Sequence, residues 1–596
     1  MAAAVPVLDA VFRLGLRSQT DRDREEHGRE ERTRTARWPG WPARERTVGH
    51  LSGRCERTGG SVNAHAVVAP VRERDERPPT RPASDEPSRR RRLLILAICC
   101  SALLIVSLDA TIVNIALPSI SRDFHAQISG LQWIVDAYTL VLASLLMLSG
   151  STADRIGRRR VFMFGLCVFS IGSLLCSLAP DLDWLIAFRA LQAIGGSMLT
   201  PVALSIVRNV FADERERAQA IGLWGATVGV SMALGPILGG VLVVSLSWRA
   251  VFWINLPVGL VAVGLTRCLV PESRARTPRR LDPVGQFLVI ALLASLTYAI
   301  ISAPSAGWGS LETLATFAVS AISLIALSAY EVHRREPLLE MRFFRSIPFS
   351  GANATAVCAF AALGGFLFLN TLYLQDVRHL TALDAGLHLL PLAVTMLVCS
   401  PLSGRLVGAG HARSVLVAGG AGIAGGATML TGLRDTTSLT TLLIAYGLFG
   451  IGLGVVNAPI SNTAVDGMPA AQAGVAAALA STSRQVGQTL GVAVLGATAS
   501  AAVAGSAARG FVAATHVGWW IIVGCGALVC VLGMLTTTQR AAATAQRAGE
   551  GQGERSSRAG NTPGSRRSDS TAAECDVGMA PCRGSRPGDD ERSPAT

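Results

Sequence analysis

The chain has 596 residues, of which 50% are hydrophobic and only 16% charged, and its net charge is +13. A soluble domain carries roughly 25% charged residues, so this composition excludes an ordinary soluble protein. The charges are concentrated in residues 1–92 and 537–596, whereas 93–536 is apolar almost throughout. We therefore expect a membrane domain between two polar tails.

Apart from histidine, every basic side chain is an arginine, because the chain contains no lysine. The absence of lysine excludes a Walker A phosphate loop, and with it an ATP-driven pump. Nucleic-acid binding would also account for many arginines, but the helix-turn-helix and aromatic-interleaved patterns that usually accompany it are missing. Cysteine and histidine lack the spacing of a zinc site, and no HExxH or GxSxG motif occurs. We expect no metal, no cofactor, no nucleic-acid partner and no enzymatic activity.

The first 92 residues are rich in Arg, Glu, Ser and Pro, and they contain no apolar run of the kind found in signal peptides. This composition predicts a disordered basic extension. An over-extended gene start is the alternative explanation. Residues 537–596 have a similar composition and predict a disordered cytoplasmic tail.

Fourteen apolar runs have the length of about 20 residues that a helix needs to cross a bilayer. They lie near 93–117, 131–151, 161–179, 184–207, 218–244, 250–270, 284–303, 312–330, 350–374, 384–407, 415–433, 439–460, 474–500 and 517–536. The predicted fold class is therefore an all-α polytopic membrane protein.

The body also contains a weak internal repeat. Leu148–Gly150 and Leu402–Gly404 each end the second span of a six-span block, and each is followed by a loop that ends in arginine. The repeat predicts an N-terminal six-helix bundle at 93–270, a linker with two extra membrane helices at 271–349, and a C-terminal six-helix bundle at 350–536. Two repeats with a binding site between them are a common transporter architecture.

Arginine falls into alternate loops of this topology. The arginines on the shared side are Arg89–Arg92, Arg155, Arg158–Arg160, Arg215, Arg217, Arg274, Arg276, Arg279, Arg280, Arg334, Arg335, Arg342, Arg345, Arg405 and Arg413. Loops rich in positive charge remain in the cytoplasm. We therefore expect a multi-pass protein of the cell membrane with both termini in the cytoplasm.

Three ionisable residues lie inside predicted spans, where a charge is costly and usually functional. Asp109 in span 1, Asp136 in span 2 and Arg189 in span 4 all lie roughly 8–12 Å below the same membrane face, at about 1.5 Å per residue. One arginine cannot neutralise two carboxylates, so at least one carboxyl is expected to gain and lose a proton in the working pH range. The hypothesis is that Asp109 binds the transported proton, that Arg189 modulates it, and that Asp136 assists or contacts a cationic substrate. For Asp136, the alternative is a side chain that faces the outer water.

Other polar residues within the spans are candidates for a substrate cavity, namely Asn114, Gln192 and Arg484. Arg484 lies about ten residues into span 13, or roughly 15 Å from the cytoplasmic face. It either lines an inner cavity or extends towards the membrane interface.

The loop between spans 2 and 3 combines glycine with charge. Gly150 and Gly157 allow a tight connection, and Asp154 with Arg155 and Arg158 predicts an ion pair that takes part in gating. A solvated positive turn is the alternative.

Span 5 carries small residues along its length, and Pro236 can bend the helix. The residues are Gly222, Gly225, Gly229, Gly235, Pro236, Gly239 and Gly240. Glycines four residues apart let a neighbouring backbone approach closely. Generic tight packing would explain the same spacing.

These motifs resemble those of a known family. The loop Gly150–Arg160 resembles the signature between spans 2 and 3 of the major facilitator superfamily. The segment Leu108–Pro118 is similar to the first-span motif of that superfamily's fourteen-span drug:proton antiporters. Two other segments, Trp248–Gly259 and Glu336–Leu339, are similar to further motifs of the same group.

Two further motifs depart slightly from the pattern. The glycines of span 5 resemble the antiporter signature of the superfamily, with Ser231 where glycine is usual. Arg189–Gly196 resembles its fourth-span motif, with Ala193 in place of a glycine. Serine is also small, whereas Ala193 bears on how closely a neighbouring helix approaches there rather than on Arg189.

The resemblance covers essentially all of 93–536 and implies a major facilitator fold with two extra central helices. It also implies a proton-coupled exporter of hydrophobic or cationic small molecules, such as antibiotics and toxic compounds, that works by alternating access. The expected partners are the small-molecule substrate, protons and the lipid bilayer, and the expected state is a monomer. An uptake symporter or facilitator for a small metabolite, on the same fold, is the alternative.

Overall fold

The computed structural model describes residues 88–275, 281–334, 340–465, 473–505, 510–541 and 543–545. Several predictions concern residues outside this part of the chain: most of the two tails, the motif Glu336–Leu339, and the arginines Arg276, Arg279, Arg280 and Arg335. All the elements described are helical.

The membrane domain consists of fourteen helices, counted within the described ranges. They are α1 Arg89–Phe124, α2 Ile128–Ile156, α3 Arg158–Ser177, α4 Leu182–Val210, α5 Glu214–Ser245, α6 Asn255–Leu269 with the preceding turn Ala250–Trp253, α7 Pro283–Ala306, α8 Leu311–His333, α9 Ile347–Leu372 with the π-helical turn Tyr373–Val377, α10 Ala382–His388 and Leu390–Gly408, α11 Ala412–Leu430, α12 Leu439–Val465, α13 Ala473–Gly505 and α14 Gly510–Thr536.

Over the described residues, thirteen of these helices are long and apolar enough to cross a membrane on their own composition. In the remaining helix, α13, the side chains from residue 502 onwards lie outside the described part, and Arg484, Gln485 and Gln488 lie near its middle. This helix packs against α9 on one side and α2 on another, so protein rather than lipid surrounds much of its polar surface. The predicted all-α polytopic fold is confirmed.

The first helix begins earlier than predicted, and residues after the last helix contact the membrane domain. Helix α1 starts at Arg89 rather than 93, because Ser88 caps it and Arg91 donates from Nε to the carbonyl of Leu269 at 3.0 Å. At the other end, the hydroxyl of Thr544 accepts a hydrogen bond from the backbone of Ile347 at 3.0 Å. A few residues at the inner edge of each tail therefore contact the membrane domain.

Helices α1–α6 form one bundle and α9–α14 the other, and α7 and α8 form an antiparallel pair beside them. Helix α7 packs against both α2 and α13, one helix from each bundle. Gln286 near its start donates to the carbonyl of Ser144 at 2.7 Å, and Tyr298 near its end lies 6.1 Å from the ring of Trp133. The extra pair therefore covers one of the seams between the bundles.

The two ends of the membrane domain differ in charge and packing. We call the end where α1 begins and α2 ends the Arg-rich end, and the other the closed end. The largest apolar core unites residues of the first bundle near the closed end, such as Ile115 and Leu131, with Phe366 and Leu392 of the second. A separate core in the first bundle, around Phe162, fills its Arg-rich half. The bundles are thus joined mainly at the closed end.

Polar contacts reinforce the closed end. Gln132 of α2 donates to the carbonyls of Val492 and Ala493 in α13, at 3.1 and 2.8 Å. In return, Gln375 after α9 donates to the carbonyl of Ile115 in α1 at 2.9 Å. Each bundle therefore supplies a buried glutamine to the backbone of the other.

Helix α5 shows the same asymmetry. At the closed end, a Cβ on Gly240 would lie 2.5 Å from the Cα of Leu383 in α10, whereas Gly222 and Gly225, nearer the Arg-rich end, have no neighbour within 4 Å. The bundles thus pack more closely at the closed end than at the Arg-rich end.

Candidate functional site

The site is built around an ion pair inside the first bundle. Arg189 of α4 donates from Nη1 to Oδ2 of Asp109 in α1, and both side chains are almost completely buried. Separated charges would be very unfavourable in these surroundings, whereas a hydrogen-bonded pair is tolerated. The structure thus brings Asp109 and Arg189 together, as the depth of the two residues in their spans predicts.

Two amides complete the coordination of Asp109. Gln192, one turn after Arg189, donates to Oδ1 at 2.8 Å, and Asn255 at the start of α6 donates to the same oxygen at 3.2 Å. Both amides also donate to the hydroxyl of Ser173 in α3, at 3.3 and 3.0 Å. Asp109 therefore receives hydrogen bonds from three side chains, one of them charged. The network links α1, α3, α4 and α6.

The guanidinium of Arg189 is held in place by its other neighbours. Its Nε donates to the carbonyl of Ile134 at 3.2 Å, and Nη1 also donates to Oε1 of Gln192 at 2.8 Å. The ring of Tyr138 lies 4.2 Å from the guanidinium carbon, close enough for a cation–π interaction. Helix α2 therefore contributes the surface against which the arginine is oriented.

Asp136 does not join this network, contrary to our expectation. It is fully buried, so it does not face the outer water either. It lies on the face of α2 that carries Gln132 and Thr139, and these two residues contact α13. Asp136 is therefore at the seam between the bundles, on a different face from the side that meets Arg189.

The carboxyl of Asp136 is poorly satisfied there. Neither of its oxygens accepts a well-formed hydrogen bond from the described residues, and the Thr139 hydroxyl, one turn away, interacts only weakly. No arginine is paired with it within the described part of the chain. An ionised carboxylate in such a place would cost several kcal/mol, so the neutral carboxyl fits the closed seam.

The three residues expected to line a substrate cavity lie in different places. Gln192 is buried within the Asp109 network, and Asn114 is buried and donates to the carbonyl of Ala110 in its own helix at 2.9 Å. Neither lines an open cavity in this state. Arg484 is only partly buried, and it donates from Nη2 to the hydroxyl of Ser461 at 2.5 Å.

The loop between α2 and α3 is held by ion pairs and backbone contacts. Arg158 and Asp154 form an ion pair at 2.9 Å, and Gly157 adopts a φ of 126°, which favours glycine. Glu272, after α6, accepts a hydrogen bond from the backbone of Arg159 at 3.1 Å. The pair expected for Asp154 is present, and it lies within the first bundle together with the segment after α6.

The glycines of α5 divide into two groups. A Cβ on Gly235 would collide with the Thr111 hydroxyl of α1, and one on Gly239 would lie 2.9 Å from Cγ1 of Ile112. The carbonyl of Pro236 lies against Gly386 of α10. Close packing is therefore present at Gly235, Gly239 and Gly240, but not at Gly222, where we expected it and where the helix faces open space.

This division predicts different effects of the same substitution. Gly235→Ala should lower the melting temperature and reduce transport at least severalfold, because the new methyl group must displace α1, which carries Asp109. Gly222→Ala is the matched control on the same helix and should be neutral or slightly stabilising, since alanine favours helix. Thermal unfolding of the purified variants and transport in membrane vesicles would measure both effects. Equal effects of the two substitutions would contradict the assignment.

Several residues of the site were missed in the sequence. Ser173 was not predicted, because it is a single serine in an apolar span. Asn255 was included only as part of the motif Trp248–Gly259. Gln132 and Glu272 were also missed. The available signal was a polar side chain within or next to a predicted span, a position that usually has a structural or functional reason.

Comparison with known proteins agrees with this architecture. A model of the Major Facilitator Superfamily matches residues 99–492. Among solved structures, the chain is similar to an inward-facing bacterial homolog of the human lysosomal transporter Spinster, with a TM-score of 0.55 and 17% identity over 78% of this chain and 99% of that one. A D-xylose-proton symporter gives the same TM-score at 15% identity, covering 74% of this chain and 96% of that one. These structures support the fold alone.

Curated relatives are closer in sequence. The multidrug resistance protein Stp of Mycobacterium tuberculosis is 37% identical over 399 residues, 67% of this chain and 74% of that protein. The tetracenomycin C resistance and export protein of Streptomyces glaucescens is 36% identical over 66% of this chain and 73% of that protein. The multidrug efflux pump LfrA of Mycolicibacterium smegmatis is 33% identical, covering 66% and 78% respectively. The chain belongs to the Major Facilitator Superfamily and is related to its drug-resistance efflux transporters.

Proposed function

We propose that the chain exports drugs and antibiotics in exchange for protons, by alternating access between the two bundles. Its relatives are, by name, multidrug resistance proteins and antibiotic exporters. The observation on this chain that carries the proposal is the carboxylate of Asp109, held by Arg189 and two amides inside the membrane domain. A buried, hydrogen-bonded acid beside an arginine is suited to bind and release a proton.

In the proposed cycle, Asp109 is ionised while the closed end is sealed. When the bundles part at that end, water reaches Asp109 and a proton neutralises it. Arg189 then carries an uncompensated charge in a low-dielectric interior, which destabilises the arrangement of α1 and α4. The proton thereby favours the rearrangement that reopens the Arg-rich end, where it is released.

Asp136 has a separate role in this proposal. Its carboxyl lies between α2 and α13, so it is enclosed only when this seam is closed. Enclosure favours the protonated form, because no cation compensates the charge. Asp136 therefore couples closure of the seam to a second protonation, whereas Asp109 responds to Arg189.

The orientation and energetics are consistent with export. The Arg-rich loops support an orientation in which that end, and both termini, lie in the cytoplasm. In this orientation, the state described here takes up substrate from the cytoplasm. One proton that crosses 100 mV releases about 2.3 kcal/mol, and each tenfold gradient requires about 1.4 kcal/mol. A single proton can thus support a roughly fiftyfold gradient of a neutral substrate. The chain is proposed to act as a monomer, since both bundles lie in one polypeptide.

Everted membrane vesicles test the function directly. In vesicles with an acidic lumen, ethidium should accumulate when the chain is present, and its addition should release protons from the lumen, detected by an acridine dye. An uncoupler should abolish both signals, and cells expressing the chain should tolerate more of the compound. Uncoupler-sensitive depletion of ethidium from the vesicles would instead indicate uptake by the cell and would exclude export.

A further inference from the structure

Arg484 is a charged side chain inside the second bundle, and no described residue pairs with it as an opposite charge. Within the described residues it forms no ion pair, whereas Arg189 in the first bundle is neutralised by Asp109. Its Nε is buried and has no acceptor, and the guanidinium carbon lies 5.9 Å from the ring of Phe360 in α9. An arginine in a membrane span normally requires a partner, so this one is incomplete as it stands.

Arg484 contacts one exposed polar side chain, and other polar residues lie close to it in the sequence or on the same helix as that contact. Ser461, which accepts its hydrogen bond, and Asn462 are both exposed on α12, and Ser483 donates to Asn353 of α9 at 2.9 Å. A lipid-facing surface would be apolar at this depth, whereas polar residues within spans face the interior or a water-filled cavity. The group lies in the Arg-rich half of the bundle, where the two bundles pack less closely.

We propose that Arg484 binds an anionic group of the transported molecule, and that the substrates include hydrophobic acids with a carboxylate, sulfonate or acidic phenol. A guanidinium binds such groups with two parallel hydrogen bonds, and Nε is a donor for which no described residue supplies an acceptor. Phe360 offers an adjacent apolar surface for the body of the molecule. This inference rests on the proposed export function and names a substrate class for it.

The proposal changes the electrical balance of the exchange. A monovalent anion leaving the cell and a proton entering it both move positive charge inwards, so an inside-negative potential drives both movements. Exchange of one monovalent cation for one proton is electroneutral. Export of an acid should therefore respond to the membrane potential at constant pH gradient, and one-for-one export of a cation should not.

A matched pair of fluorescent probes tests the site by binding. 8-Anilino-1-naphthalenesulfonate carries a sulfonate, and N-phenyl-1-naphthylamine has the same ring system without it. For the purified full chain, Arg484→Gln should weaken binding of the sulfonate at least tenfold and that of the neutral probe less than twofold. Arg484→Lys should retain part of the affinity, since it keeps the charge but not the planar fork. Equal losses for both probes, or none, would overturn the proposal.

Two controls separate the alternatives. Arg405→Gln removes an exposed arginine of the same bundle and should change neither affinity. Asp466→Asn, in the segment between α12 and α13 that the structure does not describe, should also leave binding of the sulfonate unchanged. A large gain of affinity in this variant would show that Arg484 is neutralised internally. Displacement of the sulfonate by phosphatidylglycerol but not by soluble naphthalenesulfonate would assign the site to a lipid headgroup instead.

Binding and transport also distinguish the inference from the function on which it rests. If Arg484→Gln weakens sulfonate binding but vesicles export neither probe, the anion site stands and the export proposal fails. If both probes are exported by a proton gradient and Arg484→Gln affects them alike, export stands and the anion site fails. A melting temperature within a few degrees of the parent chain ensures that each variant is folded.

Discussion

Asp109→Asn is expected to abolish proton-driven export, reducing transport to the level of membranes without the protein. The amide cannot bind and release a proton, and it leaves the buried Arg189 without a compensating charge. Breaking one side of a buried pair costs about 3–5 kcal/mol, so the melting temperature should also fall. Transport in everted vesicles and thermal unfolding of the purified protein would measure the two effects.

The second member of the pair allows the two effects to be separated. Arg189→Gln alone should be destabilising for the same reason, since it leaves a carboxylate unpaired. The double variant Asp109→Asn with Arg189→Gln should regain most of the lost stability, because no buried charge remains, but should regain no proton coupling. Non-additivity of this kind is expected of residues in direct contact.

A matched control lies at the closed end of the same helix. Asp123 pairs with Arg249 at 2.8 Å, but both side chains are substantially exposed. Exposed pairs contribute about 0–1 kcal/mol, so Asp123→Asn should leave export nearly unchanged. Uphill export by Asp109→Asn at a normal surface amount would remove Asp109 from the proton pathway.

Asp136→Asn is expected to behave differently, with a stable protein and impaired coupling. Asparagine has nearly the same shape and is always neutral, so the closed seam should be at least as stable as in the parent chain. Export against a gradient should fall at least tenfold, since closure no longer requires a proton, while exchange down a gradient should continue. The pH dependence of export should become flatter.

Thr139→Val is the control for this seam. It removes the hydroxyl that accepts a hydrogen bond from Thr489 at 2.8 Å, but it changes no titratable group. The pH profile should therefore keep its shape even if the rate falls. A clear loss of stability in Asp136→Asn, together with an unchanged pH profile, would show that this carboxyl has only a structural role.

The spans and their grouping could be predicted because hydrophobic length and loop arginines report directly on membrane crossing. Helix α13 shows what hydropathy leaves out, since it carries Arg484, Gln485 and Gln488 inside a span and only its packing against other helices explains why these residues are tolerated. Tolerance of polar residues inside a span depends on neighbours that are distant in sequence.

The candidate site was partly predictable for a related reason. Counting residues along a helix gives the depth of a side chain in the membrane, and by this count Asp109 and Arg189 lie at a similar depth. Depth does not give direction around the helix axis, and Asp136 therefore lies at the level of the pair but faces α13. The spacing of Gln132, Asp136 and Thr139 along one stripe of α2 contained this information, but its meaning depends on which helix that stripe faces.

Helix α7 contacts both α2 and α13, so one of the two seams between the bundles can open less easily than the other. The bundles can separate at the Arg-rich end most easily by rotating about the side that α7 covers. That side then acts as the hinge. The α5–α10 side then moves furthest during each cycle. Hydrophobic molecules dissolved in the bilayer would enter through the wider gap on the α5–α10 side. On the opposite side, the extra pair of helices covers the route.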